Sequence, residues 1–492
     1  MTRQTRPFRA LALASTVLMS GCLVGPNYAR PPVRTTPQFK EAEGWIKAQP
    51  ADAAPRGDWW TVFNDPVLND LEQKVVISNQ NIAAAEAAYR QAHAIVAEDR
   101  AQLFPTVTGN ASVTHSSTGS GSTVIPGGTV GGSTGTGGTG TTVFSNARTS
   151  YQIGLGASWA PDLWGKIRRT IEGSRASAQA SAADLANARL SAQSELAIDY
   201  VQLRADDELK RLTDITVEGY RRSLTITTNQ YNAGIAAKSD LLNAQTQLAN
   251  AEAQATDYVR QRQQMEHAIA VLAGMAPAEL TIAPTTWNLA PPEVPVEVPS
   301  VLLLRRPDVA AAERQAANAN AQIGVQEAAY YPSLNLTGQG GFGGSNLTSL
   351  FNASNLFWSV GASAAETILD FGARKARVQQ ARAAYDQAVA QYRQTVLTAF
   401  QQVEDQLAAE RVLAQETPLR AQASQAADAS ERISLNQYRA GTTTYLTVVV
   451  TQAAALQART ALITNQSNRI VASLDLITAL GGGWSNTQLP AD

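Results

Sequence analysis

Residues 223–234, SLTITTNQYNAG, return as residues 430–441, SERISLNQYRAG, with seven of twelve positions identical. The doubling extends upstream. NIAAAEAAYRQAHAIVAEDRAQLFP at 81–105 matches DVAAAERQAANANAQIGVQEAAYYP at 308–332, and each copy ends on an aromatic-proline pair, Phe104-Pro105 and Tyr331-Pro332. Leu163-Trp164-Gly165 answers to Asp370-Phe371-Gly372. Self-similarity of this kind means that one supersecondary unit is built twice. The units are read as 58–275 and 306–484, with a tail at 485–492. The bridge at 276–305 carries Pro277, Pro284, Pro291, Pro292, Pro295 and Pro299 and reads as an extended linker.

Inside each unit the hydrophobic period switches from helical to two and back. After Pro105, Thr106, Thr108, Asn110, Ser112 and Thr114 alternate with Val107, Gly109, Ala111 and Val113; Tyr151, Ile153, Leu155, Ala157 and Trp159 alternate with small polar residues. Leu334, Leu336 and Phe342, then Leu356, Trp358, Val360, Ala362 and Ala364, repeat the pattern in the second unit. Each stretch is about 9–10 residues, the length of a tilted membrane strand. Aromatic residues sit near the strand ends, as interfacial girdles do. A Gly/Ser/Thr tract at 117–142 and the segment 340–355 suit exposed barrel loops. No proline occurs between Asp162 and Ala276, and the composition predicts one helix from Gly165 to about Tyr231. Gly234 and Gly441 then supply turns, and return helices begin near Ser239 and Tyr445. Leu196, Tyr200, Leu203, Leu209, Leu212 and Ile215 are spaced for coiled-coil packing. Pro418 falls inside the second long helix.

The beginning of the chain reads as a targeting segment. Arg3, Arg6 and Arg9 precede an apolar stretch at 10–20, too short to span a bilayer, and Met19-Ser20-Gly21-Cys22 is close to a bacterial lipobox. Residues 1–21 are expected to be a signal peptide and 22–57 an extended segment carrying a covalent lipid on Cys22, the sole cysteine. Removing three arginines leaves the mature chain at net −5, which gives no reason to expect nucleic acid as a partner. No run of 18 apolar residues occurs, so a membrane would have to be crossed by strands. Four strands cannot close a barrel in lipid. Two, three or four copies must therefore share one, giving 8, 12 or 16 strands; only the larger barrels leave a channel.

The segments Cys22-Leu-Val-Gly25-Pro26-Asn-Tyr28, Asp58-Trp59-Trp60-Thr-Val-Phe63-Asn-Asp65-Pro66, Leu304-Arg305-Arg306-Pro307-Asp308-Val309 and Ala479-Leu480-Gly481-Gly482-Gly483-Trp484 span nearly the whole mature chain. Together they resemble the NodT branch of outer-membrane efflux lipoproteins, within the TolC-type efflux factors. The resemblance implies an α+β membrane protein: a homotrimer in which a long α-helical barrel continues a shared transmembrane β-barrel of four strands per chain. It implies an outer-membrane address, with the helices in the periplasm, a periplasmic adaptor protein and an inner-membrane transporter of the resistance-nodulation-division class as partners, and export of small amphiphiles. Adaptor contacts are expected at the turns 232–239 and 439–445, with Gly234, Lys238, Arg439 and Gly441. Related channels commonly read Y-L-T-V-L-D-A-Q at the second return helix, the aspartate forming an acidic ring at the periplasmic constriction. Here the stretch is Tyr445-Leu446-Thr447-Val448-Val449-Val450-Thr451-Gln452. Leu446 and Val450 lie one turn apart, so the expected constriction is apolar. Asp240, in a matching S-D-L-L-x-A-Q segment, is the nearest acid, and together with Ser239 it could instead cap the return helix.

Other chemistries have little to stand on. Gly338-Gln-Gly340-Gly341-Phe-Gly343 follows a strand, but no helix is expected after it, which argues against dinucleotide binding. Arg306 is better read as an ion pair with Asp308 than as a phosphate grip. His93, His115 and His267 lack ligand spacing, so no metal or cofactor is expected. Two methionines in the mature chain, Met265 and Met275, argue against soft-metal cargo. No nucleophile–base arrangement points to an enzyme. The rival class is a trimeric surface coiled coil of structural or adhesive type on a barrel anchor, which leaves the two returning hairpins unexplained.

Overall fold

A computed structural model describes residues 23–41, 58–117, 147–287, 289–292 and 305–490. The expected signal peptide 1–21, Cys22, most of the Gly/Ser/Thr tract and residues 293–304 of the bridge lie outside the described residues. The chain divides into two compact units, one of residues 1–27, 96–172 and 321–382, the other of 28–95, 173–320 and 383–492.

The doubling in sequence is a doubling of elements. Helix α1 (Pro66–Ser78) is followed by α2 (Gln80–Ala101), β1 (Thr106–Ser117), β2 (Ala147–Trp159), α3 (Lys166–Asn232) and α4 (Lys238–Leu272). The second repeat supplies α5 (Pro307–Ala328), β3 (Ser333–Gly344), β4 (Leu356–Ala365), α6 (Ala373–Arg439) and α7 (Tyr445–Ala479). Equivalent helices have identical lengths: 22 residues in α2 and α5, 67 in α3 and α6, 35 in α4 and α7. At 1.5 Å per residue the long pair are about 100 Å each. Pro418 sits within α6, which continues on both sides of it.

In the first unit the four strands form one antiparallel sheet in the order β1-β2-β3-β4. The register sets Val113 opposite Tyr151, Ile153 opposite Phe342 and Leu336 opposite Ala362, so apolar side chains share one face. That face is uncovered: Val107, Val113, Leu155, Trp358 and Val360 are all exposed, as a lipid-facing surface requires. The other face carries uncharged polar residues such as Thr108, Asn110, Gln152, Thr337 and Ser359. The first three strands, of 12, 13 and 12 residues, are longer than the period-two pattern indicates. In β1 and β2 the ladder continues past the apolar alternation into polar ends, where His115 Nδ1 and Thr149 Oγ1 are 2.9 Å apart.

In the same unit Arg169, 1% exposed at its side chain, gathers residues 23–27. Its guanidinium donates to the carbonyls of Val24 (3.0 Å) and Gly25 (2.9 Å), to Asn27 Oδ1 (2.9 Å) and to Glu172 (2.6 Å). The conformation of the glycine-proline motif is thus fixed by a buried arginine four residues into α3.

In the second unit the core is built on Trp59, Trp60, Leu68, Leu71 and Val75 against Leu196, Tyr200, Leu203, Ile470 and Leu474. Asp65 caps α1 through Val67 N and also accepts from Tyr200 (2.6 Å), which in turn accepts from Arg204 (2.8 Å). Asp207 lies between Arg204 (3.1 Å) and Arg262 (2.6 Å), and these arginines hold the carbonyls of Ala283 and Ile282. The start of the proline-rich bridge is therefore fastened by buried charge. The coiled-coil expectation holds through Leu209 but fails at Ile215, which is 53% exposed; Thr213 and Thr216 are buried there instead. Ile215 lies six residues beyond Leu209, off the helical repeat, whereas Thr213 and Thr216, four and seven residues beyond, return to the packed face. Arg306 donates to Asp308 (2.6 Å) and to the Ala479 carbonyl (3.0 Å), the structural ion pair expected of it. Helix α7 is the one helix among the described residues long and apolar enough to cross a membrane. Its C-terminal part is packed, with Ile470, Leu474 and Leu476 buried, and along its length Arg459 and Arg469 pair with Asp428 (2.6 Å) and Glu410 (2.8 Å).

Glu72, on the buried face of α1, has no exposed surface and no hydrogen-bond partner for either carboxyl oxygen. Burial pushes its pKa from 4.5 to about 9, so it is a neutral acid at pH 7. A carboxyl raised above its unfolded value favours the fold fully below that value, and the advantage is lost as pH rises through the folded one. The melting-temperature gain of Glu72→Gln over the wild type should therefore widen from pH 4.5 to about 9 and then level off. A constant difference across that window in detergent melts would contradict a neutral buried acid.

Candidate functional site

The residues singled out by the sequence converge on the two helical turns of the second unit. Gly234 and Gly441 adopt φ of 76° and 73°, the left-handed conformation that ends a helix. Gly234 N donates to Tyr231 O (2.9 Å) and Ile235 N to Gln230 O (2.8 Å); Gly441 N donates to Tyr438 O (3.0 Å) and Thr442 N to Gln437 O (2.9 Å). Both are Schellman closures, and a Cβ added at either glycine would meet nothing within 4 Å. The turns thus end in open space.

Between the turns, Tyr438 and Tyr445 are buried with ring centroids 5.1 Å apart, packed with Ala244 and Val448. Thr227 Oγ1 lies 3.4 Å from the Tyr438 hydroxyl, and Gln452 donates to Ser223 Oγ (3.3 Å), tying the second hairpin to the first. Burial raises the Tyr445 pKa to about 12, helped by the neighbouring Tyr438, Tyr220 and Asp240. Sequence reasoning missed this pair. Tyr438 stands in the repeated NQY motif, but nothing in the string marks Tyr445 as its partner.

Leu446 and Val450 are each 59% exposed, while Tyr445, Val448 and Gln452 on the same helix are buried. The two apolar side chains therefore share the face of α7 that the rest of the chain leaves uncovered. Asp240 is half-buried in the first turn of α4. The N-cap of α4 is Ala237, without a side-chain bond, so neither Ser239 nor Asp240 caps it. The helix starts one residue before the expected Ser239, which places both inside its first turn. Lys238 opens α4 and Arg439 closes α6, and both are exposed. Among the described residues there is no cluster of ligating side chains suited to a metal ion.

The sequence profile of the outer membrane efflux protein family matches residues 71–275 and 298–482. The chain belongs to the outer membrane efflux protein family. It is similar to the toluene efflux pump outer membrane protein TtgC of Pseudomonas putida, at 30% identity over 489 residues, covering 98% of this chain and 96% of that one. The antibiotic efflux pump outer membrane protein ArpC of Pseudomonas putida is similar to the same degree, with the same coverage. Among solved structures, the outer-membrane channel OprN superposes with a TM-score of 0.83 at 29% identity, over 94% of this chain and all of that one. The fold is that of the TolC-type channels, a helical barrel joined to a shared β-barrel, and this efflux protein is an outer-membrane channel component of an efflux system.

Proposed function

We propose that this efflux protein works as a homotrimer, anchored by a lipid on Cys22 and coupled through a periplasmic adaptor to an inner-membrane transporter of the resistance-nodulation-division class. The sheet carries this reading. Among the described residues β1 pairs only with β2 and β4 only with β3, on a sheet whose outer face is apolar. Open edges in lipid leave backbone groups unpaired, so further copies must supply the missing strands. Three copies give twelve strands, enough for an open lumen. Small apolar or amphiphilic compounds are the expected cargo, in keeping with the toluene and antibiotics named for the relatives' pumps. Native mass spectrometry of the detergent-solubilised protein should give three copies; two or four would contradict the trimer.

The exposed Leu446 and Val450 would form the constriction, as two stacked apolar rings that resist ions by dewetting. The adaptor would engage the turns around Gly234 and Gly441, where Lys238 and Arg439 stand exposed. Reversing both charges, Lys238→Glu with Arg439→Glu, should weaken adaptor cross-linking and efflux about tenfold, with the oligomer unchanged. Unchanged cross-linking would place the adaptor elsewhere.

Lipidation has its own test. Cys22 should be the mature N-terminus and carry acyl chains, each buried methylene contributing about 0.8 kcal/mol to anchoring. Mass spectrometry that finds a free Cys22, or cleavage elsewhere, would overturn the anchor. Because the strands insert on their own account, Cys22→Ser should reduce sorting more than folding.

A further inference from the structure

The internal repeat contains a template for the contact between copies. Where the first repeat meets the second inside the sheet unit, the segment leaving β2 is seated on the corner entering β3. Trp164 stacks on Tyr331 with centroids 4.8 Å apart and planes 23° from parallel, and its Nε1 donates to the Pro332 carbonyl (2.7 Å). Gly165, at φ 79°, then opens α3. Alongside, β2 pairs with β3 from Tyr151 opposite Gly344 to Trp159 opposite Leu336.

Each half of that joint recurs with its counterpart missing. The segment leaving β4 carries Phe371 in the place of Trp164, directly before Gly372 at φ 91° and the start of α6. Phe371 is 92% exposed, and with Ile368 at 94% and Leu369 at 69% it makes an uncovered apolar knuckle. Asp370 holds the knuckle in shape by accepting from Gly372 N and Arg374 N, both at 3.0 Å. The corner entering β1 carries Phe104-Pro105 in the place of Tyr331-Pro332, and Phe104 is 69% exposed. A knuckle without a seat and a seat without a knuckle stand beside the two open strand edges.

We infer that Phe371 of one copy seats on Phe104 and Pro105 of the partner subunit, and that β4 pairs antiparallel with β1 of the partner subunit in the register carried over from β2–β3. The shift that takes Lys166 to Ala373 also takes β2 onto β4, and the shift that takes Pro105 to Pro332 takes β1 onto β3. Applied to the internal pairing, these set Ala362 opposite Val113 of the partner subunit, Val360 opposite His115 of the partner subunit and Ala364 opposite Ala111 of the partner subunit. Ala362 with Val113 of the partner subunit and Ala364 with Ala111 of the partner subunit are apolar pairs on the outer face, as across the three ladders within the chain, and Val360 meets His115 of the partner subunit at the polar end of β1. The joint differs from its template in one respect: phenylalanine has no N–H to give the Pro105 carbonyl, so the seat is one of ring contact alone. The inference rests on the ring-of-copies reading and adds to it the residues and the register.

The test is disulfide trapping on the full chain in isolated outer membranes. Directly opposed residues of an antiparallel pair have Cα atoms about 4.5–5.5 Å apart, within reach of a disulfide. A partner two residues along is displaced by about 7 Å. Val113→Cys with Ala362→Cys should give an oxidant-dependent ladder that ends at the closed ring. Val113→Cys with Val360→Cys, or with Ala364→Cys, should give little, and each single variant and the wild type, with Cys22 alone, should give none. Stronger linking in a displaced pair, or no linking in a protein that still assembles, would overturn the register. A ladder ending at two or four copies with the register kept would refute the trimer and leave this contact standing. For the seat, Phe371→Ala should lose the oligomer at a lower temperature in detergent, and Phe371→Trp should retain it or hold it higher. Equal oligomer stability for wild type and Phe371→Ala, as for a ring that merely lies in lipid, would overturn it.

Discussion

Val450→Asp should turn a channel indifferent to trivalent cations into one they block, lowering the half-blocking concentration about tenfold or more, which is about 1.4 kcal/mol of binding. The substitution is suited to its site. Val450 is 59% exposed on the uncovered face of α7, so the new carboxylate stays hydrated and needs no partner. Three copies around a narrow lumen would bring three carboxylates together, and a trivalent ion gains from all of them at once. The wild type has an apolar side chain there and one turn earlier at Leu446, so it has nothing comparable to bind. Leu446→Ala should act differently, raising leak conductance by widening an apolar ring without adding charge. Planar-bilayer recordings with a trivalent cation on the periplasmic side check both. Strong block of the wild type, unchanged by Val450→Asp, would move the constriction elsewhere, with Asp240 the first group to test.

The second large effect separates two kinds of glycine. Gly274 and Gly481 end α4 and α7 at φ of 71° and 95°, with the same pair of closing bonds as the tip turns. A Cβ on Gly274 would lie 2.2 Å from the Ser78 carbonyl oxygen, and one on Gly481 would lie 2.1 Å from that of Arg305. Those neighbours are backbone and cannot swing aside. Alanine at either position should cost about 3–5 kcal/mol, from an unfavourable left-handed backbone plus overpacking. Alanine at Gly234 or Gly441 meets open space and should cost only about 1 kcal/mol. Melting temperature and membrane yield of the four single variants give the comparison. If Gly234→Ala proves as damaging as Gly481→Ala, the turn is packed against something, and the picture of a free tip is wrong.

The sequence made the repeats legible because the element that dominates each one is local. A proline-free stretch rich in helix formers gives Lys166–Asn232 within one residue of its expected ends, and glycine at each turn marks where it stops. The strands were legible from alternation, though not their full lengths, since hydrogen bonding runs on after the apolar pattern has ended. What the string did not reveal are pairings set by tertiary packing. Tyr445 reads as the first residue of a return helix, yet it is buried against Tyr438. Nothing in the string singles out Arg169 and Arg204 from the other arginines of their helix, and both are buried grips on backbone carbonyls. Leu446 and Val450 could be placed on one helical face by periodicity; that the protomer leaves that face uncovered is information only the fold contains.

The central claim is that copies of this chain enclose a water-filled pore whose narrowest part is lined by Leu446 and Val450. Single-channel recording of the purified protein and of Leu446→Ala, reconstituted in planar bilayers under identical conditions, tests it most directly. The claim predicts discrete current steps of uniform amplitude in both, larger in the variant. Assembled, membrane-inserted protein that passes no current in either form would contradict it.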